Sequence, residues 1–314
     1  MKKYGFGVDI GGTTCKLGLF ETTGILLEKW EIPTDTSDEG KHILSDIAKS
    51  LNEKMQEQII QKDDIEGIGI GLPGPVRRDG VVPTCVNLGW KNINVAKEME
   101  TLMSGIKVKA ANDANVAALG EMWQGGGRGC KNMVMVTLGT GVGCGIIIDG
   151  EIVPGSNGAG GEIGHITVNH HETVPCNCGR KGCLEQYASA TGIVRIAREH
   201  LAKEHESSLL EEIGEISAKA VFDVYKDGDD ATATAIVEEF AKILGNALSN
   251  LACVLDPEVF VIGGGVSKAG KPLLDAVEKY YRKAAFSSCD SIRFALASLG
   301  NDAGMYGCVR LILE

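Results

Sequence analysis

The chain reads as a duplicated α/β fold of two lobes. Three observations predict it. A strand–turn–strand–turn–strand unit opens the chain, a second copy begins near residue 132, and each copy is followed by alternating helical and strand patterns. No stretch rich in Pro, Gly or Ser separates the copies, so the lobes are expected to share a ligand cleft.

In the first copy, Tyr4 to Ile10 alternates with period two, Gly11-Gly12-Thr13-Thr14 is a turn, and Cys15 to Phe20 is strand-like again. Thr22-Thr23-Gly24 turns into a third strand, Ile25 to Ile32. Ser37 or Asp38 is placed to cap a helix whose apolar residues Ile43, Leu44, Ile47, Leu51, Met55 and Ile59 recur at helical spacing. Ile65 to Gly71 is a buried strand that stops at Leu72-Pro73-Gly74-Pro75, because proline forbids further helix or central sheet. Val108 to Ala111 is a strand leading into a helix over Ala114 to Trp123. In the second copy, Asn132 to Leu138, Val142 to Ile148 and Glu151 to Val153 are strands around Gly139-Thr140-Gly141 and Asp149-Gly150. Helices over Ser217 to Asp227, Ala231 to Leu255 and Lys271 to Arg282 then alternate with strands at Val259 to Ile262 and Ile292 to Ala297.

The totals bound the function. A length of 314 residues is about twice the common domain size. The formal charge of −11 argues against a nucleic-acid partner, which needs a basic patch for its phosphates. A nucleotide is not excluded, since backbone N–H groups and a metal ion can hold one. The opening MKKYGFGVDIGG lacks a signal sequence's apolar core and cleavage site, and no run reaches the roughly 18 apolar residues of a membrane helix. Cys15, Cys85, Cys130, Cys144, Cys253, Cys289 and Cys308 are scattered through apparent elements, as buried reduced thiols are in a cytoplasmic protein.

The two glycine-threonine turns occupy matching places in the repeat. Glycines let the backbone approach an anion closely, and tight turns point N–H groups outward. Gly11, Gly12, Thr13 and Thr14 in one copy, and Gly139, Thr140 and Gly141 in the other, are therefore candidate phosphate-binding residues. Lys16 can reach a phosphate from the adjoining strand, and Asp9 suits a Mg²⁺ anchor, directly or through water.

Cys176, Cys178 and Cys183 put three thiols within eight residues, which in a reducing compartment reads as a metal site. A zinc tetrahedron needs a fourth ligand, and spacing leaves His165, His170 and His171 open. Four protein ligands leave no open position, so the site is read as structural. Glu162 and Glu185 lie just outside this clip. Asn112 and Asp113 precede a helix, and either residue type serves as an N-cap. Val261 to Val266 is a strand entering a glycine turn.

Asp9-Ile10-Gly11-Gly12-Thr13, Asn112-Asp113-Ala114-Asn115 and the run from Leu138 through Gly160-Gly161-Glu162-Ile163-Gly164-His165 resemble the ROK family of repressors, open reading frames and kinases. The likeness extends to Leu299-Gly300-Asn301-Asp302-Ala303-Gly304 and so covers essentially the whole chain. Val86-Asn87-Leu88-Gly89-Trp90 and Ala118-Leu119-Gly120-Glu121-Met122-Trp123 are most similar to the family's glucokinases from Gram-positive bacteria. The resemblance implies ribonuclease-H-like lobes of the actin and sugar-kinase superfamily, with 1–112 plus 300–314 in one and 113–299 in the other. It implies transfer of the γ-phosphate of ATP to the 6-hydroxyl of glucose, with Asp113 as general base. Asn87, Asn112, Asp113, Glu162, His165 and Glu185 would hold the sugar. Gly264 and Gly265 would lie against the nucleotide, and His165 would join the three thiols on a structural Zn²⁺. Mg²⁺ would accompany ATP, and a homo-oligomer, most often a dimer, is the family expectation.

Other sugars, from fructose to N-acetylated hexosamines, and polyphosphate as donor remain alternatives within the same framework. A sugar-sensing regulator of the family would carry a helix-turn-helix domain ahead of the first turn, and here that turn begins at residue nine. Cys144 stands where close relatives carry glycine, which raises the expectation of an oxidisable thiol near the nucleotide.

Overall fold

The computed structural model describes residues 2–202 and 207–313. In chain order, β1 (Tyr4–Ile10), β2 (Thr14–Glu21) and β3 (Leu26–Pro33) form the opening meander, followed by α1 (Ile43–Glu57) and β4 (Ile65–Leu72). Next come the hairpin of β5 (Val81–Cys85) and β6 (Trp90–Asn94), then α2 (Val95–Leu102), β7 (Val108–Asn112) and α3 (Asp113–Gln124). The second copy runs β8 (Met133–Leu138), β9 (Val142–Ile148), β10 (Glu151–Ile152), α4 (Glu185–Ala188), α5 (Ala190–Leu201), α6 (Ala218–Asp227), α7 (Ala231–Leu255), β11 (Val259–Gly263), α8 (Lys271–Ala284) and β12 (Arg293–Leu296). α9 (Ala303–Ile312) closes the chain.

The duplication is visible in the sheets. One sheet is ordered β3-β2-β1-β4-β7 and the other β10-β9-β8-β11-β12, the same sequence of neighbours twice. In each, an antiparallel meander is extended by strands that join in parallel after helical crossovers. The register places the first glycine turn at the end of β1, where Asp9 pairs with Lys16.

The chain divides into two compact units. The first comprises Met1–Lys131, Gly145–Gly161 and Leu299–Glu314, and the second Asn132–Cys144 and Glu162–Ser298. This partition carries α3 and the β10 hairpin with the first unit, whereas the sequence placed everything from 113 to 299 in the second. The reason is local packing: α3 lies so close on α9 that a Cβ on Gly307 would overlap the carbonyl oxygen of Val116. The first unit's core gathers Phe6, Val8, Leu17, Ile47, Leu51, Ile68 and Ile70, all wholly buried. In the second, the wholly buried Phe240 and Phe260 sit in edge-to-face ring contacts with Phe222 and Tyr281.

Two local expectations shift. α1 begins at Ile43 rather than at a Ser37 or Asp38 cap, because Ser37–Gly40 forms a separate turn in which Asp38, Glu39 and Gly40 take left-handed φ of 49°, 60° and 67°. Ile59 lies beyond the helix end, at φ 54° and 82% exposed, so it is not part of the apolar stripe.

Candidate active site

On the first unit, the turn after β1 is closed by the N–H of Gly11 donating to the Thr14 carbonyl (3.0 Å), and Thr34 donates its hydroxyl to the Gly11 carbonyl (2.8 Å). The N–H groups of Gly12 and Thr13 meet no protein acceptor among the described residues, and both residues are exposed. This is the geometry of an anion cradle. Lys16 and Asp9 face each other across the β1–β2 ladder. Burial pushes the Asp9 carboxyl up to about 6; Lys16 opposes this and Asp113 adds to it.

At the start of α3, one of two adjacent polar residues takes the cap. Asn112 accepts from the N–H groups of Ala114 (2.9 Å) and Asn115 (3.3 Å), and its amide donates to the Gly74 carbonyl (3.1 Å). Asp113 is then the first helical residue, with one carboxylate oxygen accepting from the Ala114 N–H (2.8 Å). Over a third of Asp113's surface reaches solvent although protein surrounds it densely, and this partial desolvation raises its carboxyl; the Ala114 N–H and Asn112 oppose the rise. Asn87 is exposed in a short turn between β5 and β6. The turn is fixed by Trp90, whose indole N–H donates to the Gly40 carbonyl (3.1 Å).

On the second unit, the turn after β8 is braced by the start of α5. The Gly139 N–H donates to the Gly141 carbonyl (3.0 Å), Ala190 donates to the Gly139 carbonyl (2.8 Å), and the Thr191 hydroxyl to the Thr140 carbonyl (2.9 Å). Among the described residues the N–H groups of Thr140 and Gly141 have no protein acceptor. Gly264 lies against Leu138 at φ 83°, beside this turn, where a Cβ would strike the Leu138 backbone. Next to Gly265 opens a cavity of about 320 Å³ walled by Ala190, Ser217, Phe222, Val266 and Ala269. Its largely apolar walls suit a flat heterocycle.

His165, Cys176, Cys178 and Cys183 bring their ligand atoms within 4.8 Å of one another. The Cys178 and Cys183 sulfurs are 3.7 Å apart, and the Cys176 sulfur is 4.0 Å from His165 Nδ1. A tetrahedron with Zn–S bonds of about 2.3 Å has S–S edges of about 3.8 Å, so this donor set fits Zn²⁺. His170 and His171 are exposed and outside the cluster. Glu185 joins this cluster to the second glycine-threonine turn: one oxygen accepts from the Val142 N–H (3.1 Å) and the other from the Cys176 thiol (3.7 Å). Glu162 is exposed at the entry to the 3-10 turn that carries His165.

Three features escaped the sequence reading. The Phe222 cavity was invisible because that residue falls on the apolar stripe of an amphipathic helix, which reads as core. Glu121 is wholly buried and accepts from the Gly126 and Leu299 N–H groups (both 2.8 Å), tying α3 to the return of the chain into the first unit. Cys144 is only 5% exposed with its thiol pushed far up by burial, so it is not the reactive thiol the sequence suggested.

The chain is similar to known proteins. The glucokinase of Halalkalibacterium halodurans is 46% identical over 306 residues, spanning 96% of this chain and 92% of that protein. The ROK hexokinase of Thermus thermophilus superposes with a TM-score of 0.80 at 29% identity, over 98% of this chain and 97% of that one. A ROK family glucokinase from Streptomyces griseus, solved with glucose and AMPPNP, gives a TM-score of 0.74 at 33% identity over 98% of both chains. No helix among the described residues is long and apolar enough to cross a membrane. The ROK family model matches residues 5–314, every family motif named above falls within that span, and the chain therefore belongs to the ROK family.

Proposed function

We propose that this protein is a glucokinase that transfers the γ-phosphate of ATP to the 6-hydroxyl of glucose. The observation that carries the reading is the division of labour at the start of α3. Asn112 takes the capping role, which leaves Asp113 exposed and only lightly engaged, with a carboxyl raised by its surroundings. Glucokinases of the same family supply the substrate pair by analogy.

A sugar hydroxyl attacks phosphorus poorly until its proton has somewhere to go. Asp113 accepts that proton, and its raised basicity strengthens this role. Asn87 and Asn112 hold neighbouring hydroxyls, as do Glu162, Glu185 and the ring nitrogen of His165 that faces away from the thiols. Gly11, Gly12, Thr13, Thr14, Lys16, Gly139, Thr140 and Gly141 are the residues we assign to phosphate oxygens. Gly264 and Gly265 lie along the nucleotide, with the base in the Phe222 cavity. Mg²⁺ arriving with ATP would neutralise charge on the phosphates, with Asp9 its side-chain anchor. Zn²⁺ held by His165, Cys176, Cys178 and Cys183 would cross-link the sugar-binding loop and fix the His165 ring. A reducing, ATP-supplied compartment, the cytoplasm, suits ten unpaired cysteines, and a homodimer is the assembly we expect.

The test is ADP release with Mg-ATP against glucose, mannose, fructose, N-acetylglucosamine and N-acetylmannosamine, with Asp113→Ala alongside. Glucose should give the highest kcat/KM, and Asp113→Ala should lose at least about a thousandfold in kcat. A preference for an N-acetylated sugar would sink the glucose assignment while sparing the chemistry. Absence of turnover with ATP and with polyphosphate, while sugar still binds, would mean a sensor.

A further inference from the structure

A second cavity, of about 570 Å³, lies wholly on the first unit along the outer edge of β7, the last strand of its sheet. Its size is that of a small-molecule site. Arg77 and Arg78 reach it from the turn before β5, and Lys97 from the first turn of α2. The arginine turn is closed by its own backbone, the Arg77 N–H donating to the Val81 carbonyl and Gly80 to the Arg77 carbonyl (2.9 Å each). Among the described residues Arg77, Arg78 and Lys97 have no carboxylate within ion-pair distance.

Three carboxylates also line the cavity, and two are occupied with backbone. Asp79 accepts from the Val81 N–H and Glu100 from the Val108 N–H, both at 3.2 Å. Glu151 is exposed on the β10 side. The decisive group is Asn115 on α3. It is 3% exposed and lines the cavity, and its side-chain oxygen is buried without a hydrogen-bond donor. Native proteins rarely leave such an atom unsatisfied.

We propose that this cavity binds a small phosphorylated polyol. Its phosphate would engage Arg77, Arg78 and Lys97, and one of its hydroxyls would donate to the orphaned oxygen of Asn115 once the amide turns that atom towards the cavity. The cavity also reaches Asn112, whose amide both caps α3 and ties down Gly74. Occupancy would therefore be felt beside Asp113, giving a site from which the rate is modulated. The binding claim stands apart from the glucokinase reading; only the effect on rate rests on it.

The probe is ribose 5-phosphate, titrated by calorimetry into the full chain with glucose and a non-hydrolysable ATP analogue saturating, and with inorganic phosphate as a parallel arm. We expect saturable binding, tighter than for inorganic phosphate, weakened by at least about tenfold in Arg77→Ala/Arg78→Ala and also in Lys97→Ala. These surface changes leave the core intact, so circular dichroism and turnover without the probe should match the parent chain. Binding undiminished in the double variant overturns the proposal. So does no binding at millimolar probe, and equal affinity for inorganic phosphate removes the polyol from it. Because binding is read without turnover, a failure here is separable from a failure of the kinase assignment.

Discussion

The carboxylate of Asp9 is packed against Gly304, one oxygen lying 2.7 Å from the point a Cβ on that glycine would occupy. Gly304 is the second residue of α9, so the half-buried Asp9 lies against the first turn of that helix. Gly304→Ala should push Asp9 off its position opposite Lys16. We expect a loss of about 1–3 kcal/mol in stability from overpacking, together with a fall in kcat larger than in KM for glucose. Denaturant melts and steady-state kinetics on the variant check both. Unchanged kcat would detach Asp9 from the phosphate chemistry.

Asp9 also gives a pH signature. Its folded-state carboxyl sits at about 6 against 3.8 in the unfolded chain, so the folded state binds the proton more tightly. The stability from this group is complete below about pH 4 and is lost as pH rises through 6. Asp9→Asn, which cannot ionise, should therefore be the more stable protein above pH 6, by roughly 2 kcal/mol after allowing for its partial exposure. The gap should close as the pH is lowered to 4. The same substitution should lower kcat at pH 7.5, so a stability gain would accompany a loss of activity. Urea melts across this pH range decide the first point.

Much of this was legible in the sequence because glycine and threonine at turn positions, and thiols at short spacing, carry their geometry locally. The turns at Gly11 and Gly139 fall at the predicted strand ends, and β9 and α7 match their predicted spans residue for residue. Legibility failed where a role depends on a distant neighbour. Nothing local distinguishes Asn112 from Asp113 as the cap; the partner that favours Asn112 is the Gly74 carbonyl, 38 residues away. Likewise Cys144 looked reactive by position, and only its burial shows that its thiolate is suppressed.

Metal removal gives a third test. Cys176→Ser breaks the donor set and removes the thiol that meets Glu185 (3.7 Å). We expect loss of one zinc per chain by elemental analysis and a rise in KM for glucose of about tenfold or more. KM for ATP should move less. A variant that keeps its zinc, or whose two KM values rise together, would refute a role for the clip in holding the sugar loop.

Glu172 supplies a second brace for the same loop. Its side chain is 4% exposed and receives the Tyr187 hydroxyl, the Val174 N–H (2.8 Å) and Arg195 (2.6 Å), which together hold its carboxyl down at about 2 against 4.5 unfolded. The Tyr187 hydrogen bond is the largest cause, and burial works against it. A depressed carboxyl contributes stability that is present above about pH 4.5 and lost as pH falls through 2. Glu172→Gln keeps the shape and removes the charge, so it should cost about 1–3 kcal/mol at neutral pH, with the difference from the parent shrinking below pH 4. Tyr187 shares α4 with Glu185, so slackening it should raise KM for glucose while kcat stays near the parent value. If the cost were the same at pH 3 as at pH 7, the ion pair would not be its source, and the packing of Tyr187 alone would have to explain it.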